Sequence, residues 1–301
     1  MRVPDMKLWA GDPGNGDELL RDFLIADVFT GSPLEGNQLG VFPDGRGLSD
    51  DLMIKATREM NYSETVFFLP PADPAAADAH VRIFTPGGEL PFAGHPTLGS
   101  AWVLGEITGK PTVTLQTGVG LVPVELEREG DMITFGRMSQ PVPVIEAYDG
   151  TATLLDALGV TGKTGSLPVE VYVNGPRNVY VEIADEATLA AMAPDMQKLG
   201  RIPLNASCFT QGPNGWVTRM FAPALGVTED PATGSAAGPL AVHLARHGRI
   251  AFGEEIEIRQ GALVNRPSVL YAKAEGTPDR IEKVLVGGRA VIVAHGEYRL
   301  S

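Results

Sequence analysis

The run Asn61-Tyr62-Ser63-Glu64-Thr65-Val66-Phe67 sets a carboxylate where a polar stretch turns apolar, β-branched and aromatic. Thr65 to Leu69 reads as a strand of the half- or fully buried kind, with Glu64 at its start. Burial disfavours the charged carboxyl and raises its pKa, which suits a group that takes and returns protons near neutral pH. Taken alone, the window is better read as a solvent-facing Glu at a strand end, because Glu is mostly exposed. The rest of the chain shifts that balance.

Several elements must position Glu64. A first strand is expected over Phe23–Phe29, a turn-rich loop over Thr30–Asn37, and a further apolar run over Leu39–Phe42. Ser49 is placed as the N-cap of a helix that carries Leu52, Ile54, Ala56 and Met60 and leads up to Glu64. After a strand at His80–Phe84, Pro96 suits the first turn of a helix expected to run from Thr97 to Leu104 and stop at Gly105. Strands are expected at Val113–Gln116, Leu121–Glu127 and Met132–Phe135, and Pro141 and Pro143 mark a domain seam. Beyond it come a helix at Ala152–Leu158, strands at Val169–Val173 and Val179–Ile183, and a helix near Glu186–Ala193. Phe209–Gly212 and Trp216–Phe221 follow, then a helix from Ser235 to His247 closed by Gly248. The tail supplies strands near Ile256–Arg259, Val269–Lys273 and Val291–His295.

The halves repeat. Arg82-Ile83-Phe84-Thr85-Pro86 matches Arg219-Met220-Phe221-Ala222-Pro223. In each half a Pro, a Thr and small residues then open a helix: Gly94-His95-Pro96-Thr97-Leu98-Gly99 and Asp230-Pro231-Ala232-Thr233-Gly234-Ser235. Asn61-Tyr62-Ser63-Glu64 has a faint echo in Asn205-Ala206-Ser207-Cys208. The expectation is two similar α+β domains in pseudo-symmetry, each aiming one helix start at a shared cleft. Helix starts present N–H groups and a positive dipole end, which bind a carboxylate and stabilise the anion left when a neighbouring C–H loses its proton. The competing reading is two glycine-rich turns that only close helices onto sheets.

The bulk composition narrows the function classes. A chain of 301 residues with 44% hydrophobic and 20% charged content is a folded soluble protein of one large or two ordinary domains. A net charge of −13 and the lack of any basic run argue against a nucleic-acid surface. One cysteine, Cys208, excludes an internal disulfide and a Cys-rich zinc site, and fits a cytoplasmic location. No apolar stretch approaches a membrane span, and residues 1–21, with Gly11, Pro13, Gly14 and Gly16, read as a loose leader without a secretory signal.

Asp27-Val28-Phe29-Thr30, Gly36-Asn37-Gln38-Leu39-Gly40-Val41-Phe42, the Glu64 run, Phe92-Ala93-Gly94-His95-Pro96-Thr97-Leu98-Gly99 and Glu229-Asp230-Pro231-Ala232-Thr233-Gly234-Ser235-Ala236 together resemble the motifs of the PhzF-like family, in order, from about residue 22 onward. The resemblance implies the diaminopimelate epimerase fold, α+β, in which two similar domains each wrap a mostly antiparallel sheet around a central helix. We place the domains at 22–138, joined by a last strand at 288–301, and at 139–287. It implies a cofactor-free, homodimeric isomerase of a small carboxylate-bearing molecule, with no metal. Glu64 would move the proton. His95 and Asp230 would hold and polarise the substrate's carboxylate and amino group, and Ser235 with the backbone at Gly94 and Gly234 would complete the cradle. Epimerases of this fold use two cysteines at the helix starts. Here those places read Ala93-Gly94-His95 and Ala232-Thr233-Gly234, and Cys208 lies outside both, as an ordinary core residue. Gln38 stands where the family more often has Pro, on what reads as a loop. Alternatives are an epimerase that pairs Glu64 with another base, and a family member that binds a metabolite without catalysis.

Rival motifs are weaker. Ala157-Leu158-Gly159-Val160-Thr161-Gly162-Lys163-Thr164 nearly spells a P-loop but lacks its first Gly and follows a helix-like stretch rather than a strand. His243 and His247 have helical spacing for zinc but no Glu between them and no evident third ligand. Ser235 directly follows Gly234, so it is not in a G-x-S-x-G elbow.

Overall fold

The computed structural model describes residues 8–9, 19–160 and 164–300. They divide into two compact units, one ending at Ser139 and resuming at Gly287, the other Gln140–Val286. Most of the expected leader, and the centre of the P-loop-like run, lie outside the described residues.

The first unit opens with β1 (Leu20–Val28), β2 (Asn37–Phe42), α1 (Asp50–Met60), β3 (Glu64–Leu69), β4 (Ala79–Thr85) and β5 (Gly88–Leu90). It continues through α2 (Gly94–Thr108), β6 (Thr112–Thr117), β7 (Gly120–Glu129) and β8 (Met132–Gln140). The second unit holds β9 (Val144–Ala147), α3 (Thr151–Ala157), β10 (Glu170–Val173), β11 (Arg177–Glu182), α4 (Glu186–Ala191), α5 (Met196–Leu199) and β12 (Asn205–Gly212). Then come β13 (Gly215–Ala222), β14 (Val227–Asp230), α6 (Gly234–Arg246), β15 (Glu255–Gln260), β16 (Ser268–Thr277) and β17 (Arg280–Gly288). The chain returns to the first unit with β18 (Ala290–Arg299).

Strand β1 begins inside the expected leader, because Leu20 already pairs with Arg299 of β18. Residues 20–21 are therefore sheet. Strands β5, β9, β14 and β17 and helix α5 were not visible in the sequence.

Both units use one connectivity. In the first, β2 pairs parallel to β3, β3 antiparallel to β4, and β4 both antiparallel to β5 and parallel to β6. In the second, β11 pairs parallel to β12, β12 antiparallel to β13, and β13 both antiparallel to β14 and parallel to β15. The repeat reaches side chains. Arg82 grips Glu89 with two guanidinium nitrogens and lies over Phe84, while Arg219 grips Glu229 the same way and lies over Phe221.

Each unit has one helix buried almost all round, α2 in the first and α6 in the second. A helix apolar on every side must be surrounded by its own domain. Helix α2 does not stop at Gly105, as expected, but runs on to a left-handed Gly109 at φ 71°. Gly105 is there for packing: a Cβ would meet Leu126 Cδ1 at 2.3 Å and Ile133 Cδ1 at 3.0 Å. Helix α6 starts one residue earlier than expected, at Gly234, and ends at Arg246. Helix α1 begins as read, with the Ser49 hydroxyl accepting the Leu52 N–H, and packs Met53 and Ala56 against Phe42, Phe67 and Phe84.

Candidate functional site

Helix α1 ends on Asn61 in the left-handed conformation at φ 55°, which turns the chain through Tyr62 and Ser63 into β3. Glu64 is the first residue of that strand and lies opposite Leu39 in the parallel ladder, so it sits beside Asn37 and Gln38 at the start of β2. Gln38 is therefore a strand residue and not, as read from the sequence, a loop residue; it pairs with Asp27 of β1. His95 is the second residue of α2.

These three segments place a carboxylate against an imidazole. Glu64 Oε2 lies 3.5 Å from His95 Nδ1, with the Glu64 side chain 14% exposed and that of His95 2%. His95 Nδ1 is also 3.3 Å from the Asn37 amide nitrogen, and His95 Nε2 is 3.3 Å from the Gln38 carbonyl oxygen. The Ser63 hydroxyl reaches the Asn37 amide oxygen at 3.3 Å. Burial drives His95 down to about 3, against the smaller upward pull of the Gln38 carbonyl. The ring is neutral at physiological pH, so its contact with Glu64 is not an ion pair.

The second unit gathers Asp230, Gly234 and Ser235. Asp230 ends β14 and is buried; its carboxylate accepts the Thr233 hydroxyl at 2.6 Å. Gln260 ties this turn together. Its amide nitrogen donates to the Asp230 carbonyl at 2.8 Å and to the Thr233 hydroxyl oxygen at 2.9 Å. Its amide oxygen accepts the Thr218 hydroxyl at 3.0 Å and the Thr233 N–H at 3.3 Å.

Ser235 is the second residue of α6, the place His95 holds in α2. Its carbonyl would normally accept from the residue four positions on, but that residue is Pro239, which has no N–H. The Asn174 side chain supplies the missing donor at 2.9 Å, and Gln140 donates to the Gly234 carbonyl at 2.8 Å. Sequence reading missed Asn37, Gln140, Asn174, Thr233 and Gln260 as parts of these arrangements. Only the proline carried a signal, since a proline inside a helix always leaves one carbonyl needing a donor elsewhere.

Strand register assigns the true counterparts between units. Thr65 pairs with Phe84, and Ala206 pairs with Phe221 of the matching motif, so Glu64 corresponds to Asn205. Cys208 faces Arg219 as Phe67 faces Arg82, which makes it the counterpart of Phe67. The sequence echo that aligned Glu64 with Cys208 was three residues out. The Cys208 thiol is fully buried and pushed up to about 12 by that burial, which makes it an inert core group. Likewise the Pro96–Pro231 match is displaced: Pro96 is inside α2, whereas Pro231 precedes α6 and corresponds to Pro91. Asp230 then corresponds to Leu90. Each unit carries one carboxylate of this set, at a different place in the repeat.

His243 and His247 do gain a third partner. Among the described residues, Glu170 brings a carboxylate oxygen within 4.8 Å of both rings. The same oxygen lies 2.9 Å from His247 Nε2, 2.9 Å from the Tyr172 hydroxyl and 3.1 Å from Arg246 Nη1. Burial pushes the Glu170 carboxyl up, but hydrogen bonds from His243, His247 and Tyr172 and the Arg246 charge outweigh it and hold the group well below the carboxylate range. A guanidinium already supplies the positive charge there, so the cluster is a hydrogen-bonded hub that fastens the end of α6 to β10.

Among the described residues no helix is long and apolar enough to cross a membrane. The family model described as phenazine biosynthesis-like protein matches residues 26–296. A trans-2,3-dihydro-3-hydroxyanthranilate isomerase from Pseudomonas aeruginosa is 47% identical over 279 residues, covering 92% of this chain and 99% of the relative. Among solved structures, a Bacillus anthracis phenazine biosynthesis protein of the PhzF family matches with a TM-score of 0.81 at 23% identity, over 93% of this chain and 99% of that one. A hydroxyproline epimerase from Agrobacterium vitis shares the fold at a TM-score of 0.65 and 16% identity, over 93% of this chain and 91% of that one. With its motifs, its duplicated topology and these likenesses taken together, the chain belongs to the PhzF-like family of isomerases, on the diaminopimelate-epimerase-like fold.

Proposed function

We propose that the protein isomerises trans-2,3-dihydro-3-hydroxyanthranilate, or a close carboxylate-bearing analogue, without a cofactor. Glu64 removes a proton from one substrate carbon, the double bond shifts, and the same carboxyl returns a proton to another carbon. Atoms balance with no second reactant. Asp230 holds and polarises the substrate's amino group, while His95, expected from the resemblance to share that task, has its two ring nitrogens engaged by Asn37 and the Gln38 carbonyl and acts through Glu64. Ser235 and the backbone amides at Gly94 and Gly234 complete the substrate's binding, at helix starts that favour anions.

The observation that carries this reading is the pairing of Glu64 with a neutral, buried His95 at the head of α2. The absence of a matching acid at Asn205 supports single-carboxylate chemistry over racemisation, which needs a base on each face of the reacting carbon. The 47% identity to an isomerase named for that substrate supports the choice of compound. Replacing a general acid/base removes about 10²- to 10⁴-fold of rate. Glu64→Gln, which keeps shape and hydrogen-bonding capacity, is expected to lower kcat by about a thousandfold with KM nearly unchanged. Steady-state assay of that compound decides it; a variant within about threefold of wild type removes Glu64 from the chemistry.

A further inference from the structure

We propose that Asn37 is a positioning residue that, together with the Gln38 carbonyl, locks His95 as its Nε2–H tautomer and so keeps the ring beside Glu64 neutral and without an N–H toward it. The direction of every hydrogen bond in this chain of groups follows from one fixed end. The Gln38 carbonyl, 3.3 Å from His95 Nε2, can only accept, so Nε2 carries the proton. In a neutral ring Nδ1 is then bare. The Asn37 side chain, 3.3 Å away, must present its NH₂ group to Nδ1, which leaves its oxygen to accept the Ser63 hydroxyl at 3.3 Å. Ser63 is bonded to Glu64 in the chain, so Asn37 ties the acid/base's own strand entry to the imidazole.

Asn37 is itself held in place. It is 1% exposed and begins β2. Gly36, before it, has φ 69°, and a Cβ there would meet the Val28 carbonyl oxygen at 2.4 Å and Thr30 Cγ2 at 2.6 Å. The loop that delivers Asn37 therefore closes tightly on β1, and Asp27 of that strand accepts the Leu34 N–H at 2.7 Å.

The lock matters for proton transfer. An imidazolium beside Glu64 would favour the carboxylate and oppose its protonated form. A neutral ring whose single Nδ1 lone pair is taken by the Asn37 NH₂ places neither a charge nor an N–H beside the carboxyl, so the protonated form that Glu64 adopts on taking the substrate proton is not opposed. The departure from the more usual proline at Gln38 leaves this intact, because the bond uses the backbone carbonyl.

The consequence for turnover rests on the isomerase reading above; the tautomer does not. The test is the ¹⁵N NMR spectrum of the imidazole nitrogens in the full chain, with His95 assigned by its loss in His95→Gln. In wild type, His95 should show a protonated Nε2 and an unprotonated, hydrogen-bonded Nδ1, unchanged from about pH 5 to 8. In Asn37→Asp the acceptor-only carboxylate should draw a proton onto Nδ1, giving a doubly protonated ring and a kcat lower by about tenfold or more with KM little altered. Should that variant not fold, Asn37→Ala buries no charge, and its Nδ1 signal should move to that of a nitrogen without a donor. A wild-type His95 protonated on Nδ1, one that titrates in that range, or a ring spectrum unmoved by either substitution overturns the proposal. A ring spectrum as stated, in a chain that does not turn over the substrate, upholds the lock and removes the substrate assignment instead.

Discussion

At the scale of residues, two carboxylates of the candidate set live in different surroundings: Glu64 beside a neutral imidazole, Asp230 in a turn bound by Thr233 and Gln260. The price of the first is paid in pH-dependent stability. His95 is held at about 3 in the folded chain against an ordinary 6.5. Below about pH 6.5 the unfolded chain takes up a proton that the folded one refuses. The stability linked to this ring is therefore complete above pH 6.5 and is lost as pH falls toward 3. Between pH 7 and pH 5 the loss is about 2 kcal/mol. Urea unfolding at both values should show wild type losing about 2 kcal/mol more than His95→Gln over that interval, and equal losses would contradict it. Glu64, His95 and Asp230 were legible in the sequence because each is a titratable residue at the edge of an element. Asn37 was visible only as a letter in a motif, and the Gln38 carbonyl not at all, since the backbone group is common to every residue type.

At the scale of elements, the buried helices show where local signals fail. Gly105 reads as a helix stop because glycine is a poor helix former, yet the approach of Leu126 and Ile133 requires a missing side chain there, and the helix continues. Register is likewise a tertiary property. The ladders align Glu64 with Asn205, and matching letters alone pointed to Cys208. Ser49, by contrast, caps α1 as read, because a cap is satisfied within its own turn. Pro239 offers a test of the second helix start. Asn174→Ala leaves the buried Ser235 carbonyl without its side-chain donor and should cost about 2 kcal/mol. In a Pro239→Ala background the residue at 239 regains an N–H for that carbonyl, so the same change should cost about 1 kcal/mol less. Equal costs in the two backgrounds, from a denaturation double-mutant cycle, would show that the proline does not create the need for Asn174.

At the scale of the whole molecule, the sequence repeat extends to strand pairing and to the Arg–Glu clamps, while the chemistry-bearing positions do not repeat. Glutamate in one unit answers to asparagine in the other, and histidine at one helix start to serine at the second. The duplication was legible because paired motifs such as Arg82–Pro86 and Arg219–Pro223 survive in both halves. Its divergence was not, because correspondence between strands is set by pairing. On the proposed reading Glu64 is the one proton-transferring carboxylate, and the substrate should isomerise through that group alone. The most direct measurement is proton NMR of trans-2,3-dihydro-3-hydroxyanthranilate in heavy water, with wild type beside Glu64→Gln. The account predicts that wild type consumes the starting signals and builds those of an isomer, while Glu64→Gln leaves the spectrum of the starting compound in place. Conversion by Glu64→Gln at the wild-type rate would contradict it.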